Sequence, residues 1–256
     1  MKLKTPALLI VTLLLSVRCA GADEVLVSAA SSLTDALNEV GIAFSHVHPR
    51  TTVRFNFAAS GLLQQQIRQG APVDVFCPAS PKEMDALQKE GRIETNSRID
   101  FAGNRLVLIA PPRSRMRGWS DLASPTIRRV ALSDPGSVPS GRYAQETLTK
   151  RGLWEAVKAK AVFGANVRQA LTYVANGDAD AGFVFKTDAL HDAGKVRVVA
   201  EATPGKDHNP IVYPAAVVAN PPNRTAAQSF VLFLQSAAAR KIFVRYGFVL
   251  PTPGKH

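Results

Sequence analysis

The chain has 256 residues, 46% of them hydrophobic and 20% charged, with a formal net charge of +11 and two cysteines. That length supports one large domain or two lobes with a sizeable core, while two cysteines exclude a disulfide-stapled scaffold. The positive charge comes with no recognisable nucleic-acid module. It reads as a solvated surface that also draws anions toward it, an attraction that salt damps over about 10 Å.

Residues 1–22 read as a secretory signal peptide. Lys2 and Lys4 precede an apolar run from Ala7 to Leu15, and Ala20-Gly21-Ala22 supplies small residues for cleavage before Asp23. The run is too short to span a bilayer. Cys19 offers a lipoprotein alternative, against which the neighbouring Arg18 speaks. Cleavage removes three basic residues and no acid, leaving 28 basic against 20 acidic residues, a charge of +8, on a mature chain of 234 residues. Cys77 is then the only thiol, and the mature protein is expected to be soluble outside the cytoplasm.

Val25 to Ser28 reads as a strand running into small residues, followed by a helix from about Leu33 with apolar positions at 33, 36, 37, 40, 44 and 47 on one face and Ser31 or Ser32 as N-cap. Thr52–Phe57 alternates as a strand, Ala59-Ser60-Gly61 forms a second small-residue turn, and a helix follows that Gly70 stops. Val73–Cys77 is a strand, Pro81 opens a helix that ends at Gly91, and Arg105–Ala110 is a nearly all-apolar strand. A second series has strands at 129–132 and 161–163, each leading through a turn, Pro139-Ser140-Gly141 and Ala165-Asn166-Val167, into a helix. Strand 181–185, a short helix from Thr187 and strand 196–199 complete it. Ile211–Val218 is a long strand, and two helices, about 225–235 and 237–246, close the chain.

Strands alternating with helices imply parallel sheet covered on both faces, with ligand groups beyond the carboxyl ends of the strands. The four small-residue turns are where such groups would sit. A helix N-terminus carries roughly half a positive charge and unpaired N–H groups, so it can hold an anion without lysine or arginine. One serine before one helix more often serves only that helix; four turns of the same kind shift the balance toward a ligand.

These residues resemble the molybdate-binding proteins of bacterial ABC transporters, a branch of the type II periplasmic binding proteins. The likeness runs through Ala30-Ser31-Ser32-Leu33-Thr34-Asp35-Ala36, Phe57-Ala58-Ala59-Ser60-Gly61, Gly70-Ala71-Pro72-Val73-Asp74-Val75-Phe76 and Gly103-Asn104-Arg105. It continues through Val138-Pro139-Ser140-Gly141-Arg142-Tyr143, Asn166-Val167-Arg168-Gln169, Tyr213-Pro214-Ala215 and Arg245-Tyr246-Gly247-Phe248. It implies an α/β fold of two lobes, each a mixed sheet flanked by helices: lobe 1 from 23–105 and 214–256, lobe 2 from 106–213, and a ligand cleft between them. It also implies that the tetrahedral dianion is held by the hydroxyls of Ser32 and Ser60 and by the backbone of Ser140 and Val167. The family's tyrosine falls on Phe185, which has no donor, and the Ser140 hydroxyl is the expected partial substitute. One lost hydrogen bond to a charged ligand costs about 1.5–3 kcal/mol, roughly ten- to hundredfold in affinity.

The resemblance further implies a periplasmic receptor, monomeric, with no cofactor beyond its molybdate or tungstate ligand, that hands the anion to an inner-membrane ABC permease and its ATPase. Neutral donors suit a fully deprotonated dianion, whereas a protonated phosphate would gain from an acceptor such as aspartate; Asp35 and Asp134 read as helix-start and turn residues. Alternatives are a receptor for another tetrahedral oxyanion such as sulfate, a signalling receptor, or an exported hydrolase built on Ser60 or Cys77, for which no positioned base is evident. His46 and His48 read as a surface pair rather than metal ligands. There is no G-x-S-x-G, H-E-x-x-H, Walker or dinucleotide-binding motif.

Overall fold

The computed structural model describes residues 23–251. Residues 1–22, read above as a signal peptide and including Cys19, and residues 252–256 lie outside the described residues. The elements in chain order are β1 Asp23–Ala30, α1 Thr34–Val47, β2 Thr51–Ala58, α2 Ser60–Arg68, β3 Val75–Cys77, α3 Pro81–Lys89, β4 Ile99–Asn104, β5 Leu106–Ala110 and β6 Val130–Ser133. Then come α4 Pro139–Lys150, α5 Trp154–Lys158, β7 Ala161–Gly164, α6 Val167–Ala175, β8 Ala181–Phe185, α7 Lys186–His191, β9 Arg197–Glu201, β10 Ile211–Val217, α8 Arg224–Phe233 and α9 Ala237–Arg245.

Two five-stranded sheets result, ordered β2-β1-β3-β10-β4 and β7-β6-β8-β5-β9. Each has a parallel part, β2-β1-β3 and β7-β6-β8. In each, the strands added from the crossing segments run antiparallel: β10 against β3 and β4, and β5 against β8 and β9. The sheets are therefore mixed, as in type II periplasmic binding proteins, and not the all-parallel sheets that strand–helix alternation alone suggests.

The chain crosses between the lobes twice. Arg105 is the single residue between β4 and β5, and residues 202–210 lead from β9 into β10. Ile211 pairs with Asn104 and Tyr213 with Ala102, so Ile211–Tyr213, expected in the second lobe, belong to the first sheet.

The first lobe's core follows from its helix faces. Ala36, Leu37, Val40 and Phe44 of α1 are buried, and Phe44 meets Phe230 of α8 edge-on at 5.3 Å. Val47, expected on the same face, is the last residue of α1 and is 61% exposed. In α9, Ala239, Ile242 and Phe243 are buried, and Gly247 ends the helix at a φ of +85° that only glycine adopts freely.

Candidate site in the cleft between the lobes

The four turns lie at the carboxyl ends of adjacent parallel strands, β1 and β2 in one lobe, β6 and β7 in the other. Their capping differs from the expectation in a way that matters. Ser31–Leu33 forms a short 3-10 turn ahead of α1, and its N-cap is Ala30 rather than either serine. Ser60 is the first residue of α2, capped by Ala59, and Ser140 the second residue of α4, capped by Val138. None of these three caps has a side-chain oxygen. Replacing a capping serine by alanine typically destabilises a helix by about 1 kcal/mol, so three uncapped starts at one place leave N–H groups for something else. Of the four, only α6 is capped conventionally, Asn166 Oδ1 accepting from Gln169 N at 3.0 Å; Val167 N–H, at the first position of that helix, has no intrahelical acceptor.

Bonds across the cleft bring the turns together in pairs. Gly61 N donates to Ser137 O at 2.9 Å, setting the Ser60 turn against the Ser140 turn. A Cβ on Gly61 would lie 2.5 Å from Ser137 O, so only glycine permits this approach. Arg168 Nη2 donates to Asp35 Oδ2 at 2.6 Å, joining the Val167 turn to the Ser32 turn. With β1 beside β2 and β6 beside β7, the two bridges close a ring of four. Ser32, Ser60, Ser140 and Val167 are each between 1% and 3% exposed. Beside Ser32 a pocket of about 170 Å³ is lined from both lobes, by Asp35 and Tyr246 on one side and Arg168, Thr187 and His191 on the other.

The hydroxyls have separate duties. Ser60 Oγ accepts from Ala79 N at 3.0 Å, which occupies a lone pair and leaves its proton to donate elsewhere. Ser32 Oγ lies 3.0 Å from the Tyr213 hydroxyl. Ser140 Oγ donates to Ser133 Oγ at 3.0 Å, within its own lobe. In this structure that proton is taken up by Ser133, an arrangement different from the expected substitution for the phenol missing at Phe185. Phe185 is buried, its ring edge-on to Tyr213 across the lobes at 6.1 Å.

Charged groups near the turns are paired with one another. Arg142 Nη2 lies 2.5 Å from Glu83 Oε1 and donates to Ser80 Oγ at 3.1 Å, a second interlobe ion pair, largely buried. Asp35 accepts from Arg168 and lies 3.1 Å from His191 Nδ1. Arg168 Nε is 2.7 Å from Asp188 Oδ1, near enough for attraction although the N–H is not aimed at that oxygen. Burial pushes the Asp188 carboxyl up to about 6, against the opposing pull of Arg168. Burial works against the charge on Arg168, but Asp188 and Asp35 together hold its pKa above the usual value.

The enzyme alternatives gain no support. The Cys77 thiol is buried and burial pushes it far above its ordinary range, leaving no thiolate to attack. Ser60 Oγ has Ala79 N as its only hydrogen-bond partner among the described residues, which is not a base. His48 stacks on Phe44 at 4.3 Å, and the described residues hold no cluster of three metal-ligating side chains.

Asn104, Tyr213, Glu83 and Arg142 carry no cleft role in the sequence pattern, and Asp35, which reads there as a helix-start residue, bridges the lobes. The available signal was the alanines at the N-cap positions, which make poor caps unless something else takes the N–H groups.

The fold and this cleft define a two-lobed solute-binding protein. Residues 25–249 match the family described as bacterial extracellular solute-binding protein, and the chain belongs to it. It is 42% identical to YvgL of Bacillus subtilis, whose name describes a substrate-binding lipoprotein of an ABC transporter, over 87% of this chain and 85% of that one. It is 38% identical to the molybdate-binding protein ModA of Haemophilus influenzae, over 90% and 91% of the two chains. Among solved structures, the periplasmic molybdate-binding protein of Azotobacter vinelandii superposes with a TM-score of 0.80 at 26% identity, covering 89% of this chain and all of that one.

Proposed function

We propose that this chain is an extracytoplasmic receptor that binds molybdate, and tungstate with it, and delivers the anion to an ABC permease driven by its ATPase. The observation that carries the reading is the convergence of four helix starts, three of them without a capping side chain, in a cleft whose nearby charges are already paired. Such a site offers hydroxyl and N–H donors and no free carboxylate, which fits a dianion that carries no proton near neutral pH. The names of the relatives support molybdate as that dianion.

Ser32 and Ser60 would donate through their hydroxyls, Ser140 and Val167 through their backbone N–H groups, and Phe185 would contribute only ring contact. Closure brings the second lobe's donors onto an anion already held by the first, and the bridges at Gly61–Ser137, Arg168–Asp35 and Arg142–Glu83 hold the closed form. The receptor is taken to act as a monomer in the periplasm after export. Calorimetric titration of the mature protein with molybdate, tungstate, sulfate and phosphate tests the reading: strong binding of the first two alone supports it. Strong binding of sulfate with none of molybdate replaces the ligand, and binding of none overturns the reading.

A further inference from the structure

Tyr213 is fully buried, and its hydroxyl lies within hydrogen-bond distance of two groups, Asn104 Nδ2 and Ser32 Oγ, each at 3.0 Å. Arg105 N, which can only donate, bonds Asn104 Oδ1 at 2.9 Å and so fixes which end of the amide is oxygen. The Asn104 Nδ2 hydrogens then go to Thr187 Oγ1 at 3.0 Å and to the Tyr213 oxygen. The Tyr213 oxygen accepts from Asn104, and Ser32 Oγ is its one other hydrogen-bond partner among the described residues, so giving the phenol proton an acceptor makes Tyr213 the donor to Ser32. The rings of Phe101, Phe185 and Phe248 pack around the Tyr213 ring, with centroids 6.4, 6.1 and 5.5 Å away. Burial also holds the phenol pKa well above its usual value, so the proton stays in place.

We propose that Tyr213, set by Asn104, is a positioning residue that makes Ser32 a hydrogen-bond donor toward the anion and so favours fully deprotonated oxyanions over protonated ones. Ser32 Oγ already receives a hydrogen from Tyr213, and its own proton is left to point into the cleft. An oxyanion that still carries a proton brings a donor to a place already facing a donor, and one of the two hydrogens goes unmatched. The wire starts at the crossing between the lobes, since Asn104 ends β4 and Arg105 is the whole of the first crossover, and Thr187 belongs to α7 of the second lobe. The inference rests on the functional reading given above, because it needs an oxyanion at Ser32.

The test is a double-mutant cycle on Tyr213→Phe and Ser32→Ala, read by calorimetry with molybdate and with hydrogenphosphate. Tyr213→Phe alone should weaken molybdate binding about tenfold and narrow the preference for molybdate over hydrogenphosphate. With Ser32→Ala already present, the same substitution should change molybdate affinity by about twofold or less, since the wire then ends on nothing. Asn104→Asp keeps the phenol but replaces the donor with an acceptor. Its effect is read the same way, as the part that disappears when Ser32 is absent, and it serves if Tyr213→Phe does not fold. Equal losses with and without Ser32, or an unchanged molybdate-to-hydrogenphosphate preference, overturn the inference while leaving the receptor standing. Wild-type protein that binds neither molybdate, tungstate nor sulfate overturns the receptor and the inference together.

Discussion

The two lobes reach the same cleft by different chemistry. The first lobe presents serine hydroxyls whose acceptor side is occupied by protein donors, Ala79 N on Ser60 and the Tyr213 hydroxyl beside Ser32. The second lobe presents helix-start backbone, and the hydroxyl of its site serine, Ser140, is turned to Ser133. Side-chain donors depend on the residue type; backbone donors depend on how closely a helix start packs on its strand. The difference teaches that substitutions in the two lobes should fail in different ways.

The largest effect is expected in the second lobe from Gly141→Ala. A Cβ there would lie 2.2 Å from Ser133 O and 2.8 Å from Ser133 C, both backbone atoms, so the start of α4 must withdraw from β6 and carry Ser140 N–H with it. Overpacking of this kind costs about 1–3 kcal/mol of stability, to be read from thermal unfolding, and molybdate affinity should fall by roughly a hundredfold or more. Next comes Gly61→Ala, which would place a Cβ 2.5 Å from Ser137 O. It should hold the lobes apart, seen as a larger radius of gyration by solution scattering, with affinity down by about tenfold or more and little change in melting temperature.

Removing one first-lobe hydroxyl, by Ser60→Ala or Ser32→Ala, should weaken molybdate binding about ten- to hundredfold. Ser140→Ala should change it by about twofold at most, because the backbone N–H remains; a loss as large as that of Ser60→Ala would erase the proposed contrast between the lobes. The smallest effect concerns stability alone. Asp188 has its folded-state pKa raised from 3.8 to about 6, so between those values the folded protein keeps a proton that the unfolded chain has lost. Its contribution therefore makes the fold less stable as pH rises through that window and is constant above it. The melting temperature of wild type minus that of Asp188→Asn should fall across the window and flatten beyond; a flat difference throughout would contradict this.

The strand, turn and helix units were legible because their apolar spacing and small-residue turns are local. Ile99–Asn104 does not read as a strand by itself, because Asp100 and Gly103 interrupt its pattern; it is held as strand by pairing with β10, Asn104 with Ile211 and Ala102 with Tyr213, far away in the chain. The antiparallel additions to both sheets escape local reading for the same reason. At the site, the turns could be found but not the detail of their capping, because a serine at the first helical position and one at the cap look alike in a string of letters. Asp35–Arg168 and Glu83–Arg142 join residues 133 and 59 positions apart, and neither partner's neighbours in sequence announce the other.

The most direct measurement is a crystal structure of the mature protein with molybdate, located by the anomalous signal of molybdenum. The metal should lie between the lobes, its oxygens receiving hydrogen bonds from the hydroxyls of Ser32 and Ser60 and the N–H groups of Ser140 and Val167. Density for molybdenum anywhere else on the protein, or in the cleft but held by Ser140 Oγ in place of the Ser140 N–H, would contradict the account.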